Sequence, residues 1–472
     1  MRIIPKLRPK IKNAISQRTH SSPIKTPKSD FSYRHFFLKK ALDISDNVRH
    51  TEIASDRIDH KRSEEKKMKK RVQHLFIVQL CVSVFFFAFT GCAPQKSTSE
   101  SGNLSSETSE SADFSSLSSA PVSQNNVYAN PIYPLVEGEK APTYTADPFV
   151  IRGDDGLFYL YCTQTDVYTG KLTDGRTFLR GPTFTSPDLV NWVYCGDVFS
   201  SYVPDWGTSG AGVWAPTVAK IGDRYVFYYS LSTGGDENPG IGVATSPTPN
   251  GPWTHYGKLF DSEEIGVVNS IDPYVFIDEG NVYMAFGSYG GLITLIQLTD
   301  DGLGLYGGLE YQREHKVPLA GFEIYDMTNY EGTIITRYGD YYYLFLSTGT
   351  CLSGTSSTYH VVVARSENLF GPYLDADGND LFRPNRGEYV VTPIRNHVMG
   401  VGHCAVIEDD LGELWMLYHG YDCTDEENSD KRVLYLDKLV FSEDGFPHVE
   451  NYRASNHTDQ NGPYLFALEG RS

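Results

Sequence analysis

The feature that most limits what this chain can fold into is a unit that recurs five times. In each unit a glycine is followed three residues later by an aromatic that leads an apolar run: Tyr159, Tyr225, Tyr283, Tyr342 and Trp415. These anchors stand 66, 58, 59 and 73 residues apart. Eleven or twelve residues before each anchor stands a side chain that can do chemistry or line a site: Asp147, Trp214, Asp272, Glu331 and His403. A long outer period of this kind marks a repeat architecture, in which each unit buries its faces only against its neighbours.

The texture within each unit is β. Runs such as Phe158-Tyr159-Leu160-Tyr161, Tyr225-Val226-Phe227-Tyr228-Tyr229 and Tyr341-Tyr342-Tyr343-Leu344-Phe345 are aromatic and β-branched, as half-buried or buried strands are. Each anchor follows a tight-turn signal: Asp155-Gly156, Gly222-Asp223, Gly280-Asn281, Gly339-Asp340 or Gly412-Glu413. Such turns join adjacent strands as hairpins. Four strands of about five or six residues with their loops fill the period. The expected fold is therefore all-β, a five-bladed β-propeller. An immunoglobulin-like sandwich has turn signals without so long an outer period. The residue upstream of each anchor then falls on or beside the innermost strand of its blade, and five such residues converge on the axis.

Upstream of the repeats the chain changes character. Residues 1–92 hold 20 Lys/Arg against 8 Asp/Glu, a balance of +12. Within them, Met68-Lys69-Lys70-Arg71 is a basic cluster, and Leu75 to Thr90 is almost wholly apolar apart from Gln79. That run is short for a membrane span and has the form of the hydrophobic part of an export signal. It ends in Phe89-Thr90-Gly91-Cys92, which resembles a bacterial lipobox with Phe89 where Leu is usual; ordinary cleavage and a signal anchor are the alternatives. Residues 68–92 are thus read as a lipoprotein-type signal, and residues 1–67 as an extension upstream of a true start at Met68. Residues 93–126 are rich in Ser, Thr and Glu, too poor in large apolar groups to offset the entropy of ordering. A disordered tether is expected there, with the propeller over 127–472 and the whole exported, either anchored by lipid to the outer face of a bacterial membrane or secreted.

Residues 93–472 carry 21 Lys/Arg against 51 Asp/Glu, a balance of −30. Such a body repels nucleic acid and anionic lipid, and the membrane is expected to be met only through the anchor. A neutral, hydroxyl-rich ligand is compatible with it. Seven cysteines lie at 81, 92, 162, 195, 351, 404 and 423, with no C-x-x-C pair; free thiols are expected in the body and no zinc knuckle. A monomer without an organic cofactor is expected.

Three carboxylates facing one channel suit glycoside hydrolysis. A general base must be ionised to activate water and a general acid protonated to release the leaving oxygen, so their surroundings must differ. Where a water stands between base and anomeric carbon, the carboxyls lie roughly 6.5–9.5 Å apart and configuration inverts. A third carboxylate raises the acid's pKa by like-charge repulsion and orients it. The structural alternatives are ordinary ones: Asp before Pro is a common turn or cap residue, a tryptophan in a β protein is commonly core, and a lone histidine is commonly satisfied by backbone.

Thr145-Ala146-Asp147-Pro148-Phe149, Trp214-Ala215-Pro216, Ser270-Ile271-Asp272-Pro273 and Tyr330-Glu331-Gly332 resemble, in order, the active-site signatures of glycoside hydrolase family 43, five-bladed propeller enzymes acting on arabinans and xylans. The resemblance covers roughly residues 128–450. It implies Asp147 as general base, Asp272 as the carboxylate that modulates and orients the acid, and Glu331 as general acid. Glu323 is the rival for that last role, but only Glu331 keeps the offset to its anchor. Trp214 would then be a sugar-facing wall. His403, in Gly402-His403-Cys404, matches the histidine that arabinanases of the family place near the axis, where it helps hold calcium or another ion largely through water.

Three further segments resemble endo-acting 1,5-α-L-arabinanases. They are Gly287-Ser288-Tyr289-Gly290-Gly291, the stretch from Cys351 to Pro372 with Ser357-Thr358-Tyr359, and Arg432 before Val433-Leu434-Tyr435. Ser288, Tyr289, Arg432 and Trp214 are accordingly the candidate substrate-binding residues. Ala146 before Asp147, and Thr217 after Pro216, depart from the endo pattern. The resemblance thus implies an inverting hydrolase of α-1,5-arabinan, with exo-acting arabinofuranosidase or β-xylosidase activity as the alternative. Retaining fructosyl hydrolases, a related clan, carry Arg-Asp-Pro and Glu-Cys where this chain has Ile271-Asp272-Pro273 and Glu331-Gly332. A reading from another class is a propeller that binds carbohydrate without cleaving it.

Overall fold

The computed structural model describes residues 126–137, 143–166, 177–321 and 330–466. The expected extension and signal lie outside these residues, as does the tether up to residue 125. Among the described residues no helix is long and apolar enough to cross a membrane.

Five four-stranded antiparallel sheets follow one another along the chain, each a simple meander. Blade 1 consists of Phe149–Arg152, Phe158–Tyr161, Pro182–Ser186 and Val193–Asp197, and blade 2 of Gly212–Ile221, Arg224–Ser232, Gly240–Ser246 and Thr254–Asp261. Blade 3 consists of Tyr274–Asp278, Asn281–Phe286, Leu292–Gln297 and Val317–Gly321. Blade 4 is built from Glu331–Tyr338, Tyr341–Thr348, His360–Ser366 and Glu388–Val391, and blade 5 from Val398–Glu408, Leu414–Asp422, Arg432–Phe441 and Pro447–Val449. The first strands of successive blades touch one another, and blade 5 touches blade 1, so they line a closed ring. The fold is the expected five-bladed propeller.

The second strands show why the sequence demands it. Both faces of a blade are covered by neighbouring blades, and a strand buried on both faces reads as a continuous apolar run. Phe158 and Leu160 pack in the seam between blades 5 and 1, while Tyr159 and Tyr161 pack in the seam between blades 1 and 2. Leu344 faces blade 3 and Phe345 faces blade 5 in the same alternating way. Five seams thus hold five apolar cores, each shared by two blades. Burying a large apolar side chain contributes about 1.5–3 kcal/mol, and no blade can gain it alone.

All five anchors lie in second strands. Two of them also tie neighbouring blades by hydrogen bonds. The Tyr225 hydroxyl accepts from the Asp154 amide in the blade 1 hairpin, and the Tyr342 hydroxyl donates to Asp278 at the end of the first strand of blade 3. The N-terminal segment closes the ring onto blade 5. Val127–Tyr128 pairs with Gln460–Asn461, and the Asn130 side chain bonds both the carbonyl and the amide of Leu436.

Two expectations need correction. The first strands of blades 2 and 5 run 10 and 11 residues, well beyond five or six, because bulges near the axis let them continue. In blade 3 the hairpin turn is Glu279-Gly280, one residue earlier than Gly280-Asn281, since Asp278 pairs directly with Asn281. Both turn residues have positive φ, 48° and 82°, as the tightest hairpins need.

Candidate active site

The five residues at the common offset sit where the first strands reach the axis. Asp147 and Asp272 stand two residues before their strands, Glu331 opens its strand, and Trp214 and His403 lie within theirs. At each place the backbone turns left-handed. Asp147, Asp272 and His403 have φ of 54°, 58° and 51°, and the residues just after Trp214 and Glu331, Ala215 and Gly332, have 40° and 62°. Where the strand already pairs, the ladder slips: between Trp214 and Thr217, Glu331 and Ile334, and Gly402 and Ala405. Bulges of this kind re-aim a side chain beside a site. A non-glycine residue held left-handed costs roughly 1–2 kcal/mol, so four of these five places carry strain.

Asp147, Trp214, Asp272, Ser288, Tyr289, Glu331, His403 and Arg432 all line one cavity of about 930 Å³. Glu323 lies outside the described residues; among the described residues the axial carboxylates are Asp147, Asp272 and Glu331.

Asp147 is gripped by donors. Arg432 donates to its Oδ1 at 3.1 Å and the Thr163 hydroxyl to its Oδ2 at 2.6 Å. The nearest ring nitrogens of His419 and His403 stand 3.3 and 3.5 Å from Oδ1. Burial alone would raise this carboxyl, but Arg432 first, with the Thr163 hydroxyl, holds it well below the usual carboxylate range; burial keeps the two neighbouring imidazoles neutral. It is ionised at any working pH.

Glu331 is treated in the opposite way. Its carboxylate receives hydrogen bonds from the Ser288 and Tyr359 hydroxyls, both at 2.7 Å. Among the described residues no cation bonds it directly. Burial pushes its pKa up to about 7, against the two hydroxyls; the Asp147 charge adds to the rise and Arg432 opposes it. Asp272 accepts from the Gly332 amide at 3.2 Å, and burial, then the Glu331 and Asp147 charges, push it well above the ordinary range. At the axis the cavity therefore has one carboxylate kept ionised and two kept ready to carry a proton.

Ser288 and Arg432, expected to meet the sugar, spend hydrogen bonds on Glu331 and Asp147. The Tyr289 hydroxyl bonds the Gly349 carbonyl, which leaves its ring to the cavity. Cys351 also lines the cavity, and burial pushes its thiol far up, so it is no nucleophile. The five described cysteines are free thiols. Thr163, His419 and the contact of Tyr359 with the acid went unnoticed in the sequence. The available signal was position: Thr163 and His419 each stand four residues after an anchor.

The resemblance also implied an ion near His403. Among the described residues no group of three or more His, Cys, Asp or Glu is placed to hold a metal. Beside His403 stand Asp147, whose carboxylate is taken by Arg432 and Thr163, and the ring of His419. The described side chains therefore bring no set of oxygens of their own to a hard cation, which takes six to eight, and no chemistry is routed through one.

Comparison with known proteins gives the family. The profile described as Glycosyl hydrolases family 43 matches residues 140–447. The chain is 31% identical over 322 residues to the extracellular exo-α-(1→5)-L-arabinofuranosidase ArbA of Cellvibrio japonicus, an alignment covering 63% of this chain and 90% of that one. It is 30% identical over 264 residues to the extracellular endo-α-(1→5)-L-arabinanase 1 of Bacillus subtilis, covering 54% of this chain and 76% of that one. Among solved structures, the Cellvibrio cellulosa α-L-arabinanase complexed with arabinohexaose superposes with a TM-score of 0.55 at 28% identity, over 66% of this chain and 99% of that one. An exo-1,5-α-L-arabinanase from a bovine ruminal metagenomic library superposes with a TM-score of 0.54 at 28% identity, over 67% and 99%. The chain is a glycosidase and belongs to glycosyl hydrolases family 43.

Proposed function

We propose that this protein hydrolyses α-1,5-linked L-arabinofuranosyl bonds of arabinan with inversion, by single displacement. The observation that carries the reading is the opposite surroundings of two carboxyls in one cavity: Asp147 is bonded by the Arg432 guanidinium and the Thr163 hydroxyl, Glu331 only by the Ser288 and Tyr359 hydroxyls, so that burial lifts Glu331 to about 7. Ionised Asp147 takes a proton from water as the water attacks the anomeric carbon. Protonated Glu331 delivers its proton to the leaving oxygen, so one proton enters the enzyme and one leaves. Asp272, adjoining both and bonded to the Gly332 amide next to the acid, orients Glu331. Trp214 offers a ring face to the apolar face of a sugar. The arabinan assignment rests on what the relatives are said to act on.

Endo action is the primary reading, in line with the Ser288-Tyr289 turn and the Cys351–Pro372 segment; exo action is favoured by the first relative and the ruminal neighbour. The extracellular relatives support an exported enzyme, which we place outside the cytoplasm, lipid-tethered through Cys92. A proton NMR time course on linear arabinan tests the reaction. Inverted configuration in the first product is expected, with a ladder of oligosaccharides. Retained configuration would exclude the mechanism, and a single short product from the outset would replace endo by exo action.

A further inference from the structure

Each of the five left-handed residues at the axis has a backbone N–H that a side chain accepts. His419 Nδ1 accepts from the Asp147 amide at 3.1 Å, and the Thr163 hydroxyl from Ala215 at 2.8 Å. The Ser230 hydroxyl accepts from Asp272 at 2.9 Å, Asp272 Oδ2 from Gly332 at 3.2 Å, and the Ser347 hydroxyl from His403 at 2.8 Å. The acceptor always belongs to the preceding blade. Blade 1 holds blade 2, blade 2 holds blade 3, and so on until His419 of blade 5 holds Asp147 of blade 1. The five contacts close into a ring.

Four of the acceptors share one sequence place. Thr163, Ser230, Ser347 and His419 stand four or five residues after their anchors, and all four are buried. In blade 3 that place is Ser288, which does something different. Its hydroxyl donates to Glu331 Oε2, and Asp272 takes the Gly332 amide in its stead. The repeat is altered at the blade whose neighbour supplies the acid.

We propose that these side chains form a ring of positioning residues, each fixing the axial bulge of the next blade, and that the placement of the base depends on His419. The proposal rests on the reading of Asp147 as base. Because the amide donates to Nδ1, the ring proton of His419 sits on Nε2, which meets no acceptor. A proton on Nδ1 would set donor against donor and open the contact. The groups facing the ring are Arg432, Asp147, His403 and the stacked Tyr359, 5.7 Å away and 12° from parallel. Burial, then Arg432 and His403, keep the imidazole neutral against the pull of Asp147.

The test compares His419→Leu, which removes the acceptor, with His419→Asn, whose amide oxygen stands near the position of Nδ1 and can accept. Misplacing a reacting group by about 1 Å costs on the order of 10²-fold. We expect His419→Leu to lower kcat by about that factor with KM changed less than about threefold, and His419→Asn to recover to within about tenfold of wild type. Ser230→Ala frees the Asp272 amide by a smaller change and carries the same test should His419→Leu not fold; kcat about tenfold lower with KM preserved is expected. Equal kcat losses in the Leu and Asn variants overturn the proposal, as does wild-type kcat in folded His419→Leu or in Ser230→Ala. The ratios are taken on any glycoside the wild type cleaves. Failure of the arabinan reading shows separately as no wild-type turnover of arabinan, and failure of the base assignment as full activity in Asp147→Asn.

Discussion

Asp147 and Glu331 line the same cavity, both nearly out of reach of solvent, yet their surroundings drive the two carboxyls in opposite directions. Around Asp147, blade 5 supplies a guanidinium and two imidazoles. Around Glu331, blades 3 and 4 supply only hydroxyls and a third carboxyl. Burial penalises charge at both places; only at Asp147 does a fixed cation overcome it. An acid and a base can thus coexist in one cavity because, among the described residues, blade 5 alone contributes positive charge to the axis, and contributes it next to blade 1.

The largest effect should come from removing either member of this pair. Glu331→Gln and Asp147→Asn keep shape and remove the proton donor or acceptor. General acid or base catalysis contributes typically about 10²–10⁴-fold, and each variant should lose that much in kcat/KM while binding oligosaccharide as before, as isothermal titration would show. Full hydrolysis in both would break the comparison at its root.

Arg432 is the next lever. Asp147 is faced by Arg432, His403, His419 and Thr163, with the carboxyls of Asp272 and Glu331 in the same cavity. Arg432→Met removes the leading cation and leaves burial to raise the base. A depressed carboxyl is active above its pKa and lost as pH falls through it, so a rise makes the acidic limb of kcat/KM appear at higher pH. We expect that limb to move up by at least about one unit, a tenfold loss on the acid side, with the profiles converging toward alkaline pH. An unmoved acidic limb would show that the guanidinium is not what holds the base ionised.

The same asymmetry explains what the sequence disclosed. Five aromatics at a long period are set by burial on both faces of a strand, a demand written directly in composition, so the blades were legible. Asp147, Asp272 and Glu331 were legible because the offset to the anchor is nearly constant. The backbone at those places was not. Of the five left-handed residues only Gly332 is a glycine; at Asp147 and His403 the conformation is imposed by a neighbouring blade through His419 and Ser347, and local sequence carries no sign of it. Arg432 and Ser288 were found as cavity residues, but the carboxylates they bond were not. A side chain that can bond a sugar can equally bond a carboxylate, and only the fold brings blade 5 beside blade 1.

The smallest effect belongs to the neutral side. Tyr359 donates to Glu331 Oε1 and, with Ser288, works against the burial that lifts the acid to about 7. Its ring stacks on His419, so Tyr359→Phe keeps the packing between acid and base and removes one donor. A hydrogen bond to a charged group is worth roughly 1.5–3 kcal/mol, and one pKa unit corresponds to about 1.4 kcal/mol. Losing it disfavours ionised Glu331, which raises its pKa further. Because the acid works protonated, the basic limb of kcat/KM should move to higher pH by about one unit, with kcat at the optimum changed less than tenfold. A basic limb that moved down instead would mean that the hydroxyl stabilises the protonated acid, and the hydroxyls of blades 3 and 4 would then be part of what raises Glu331.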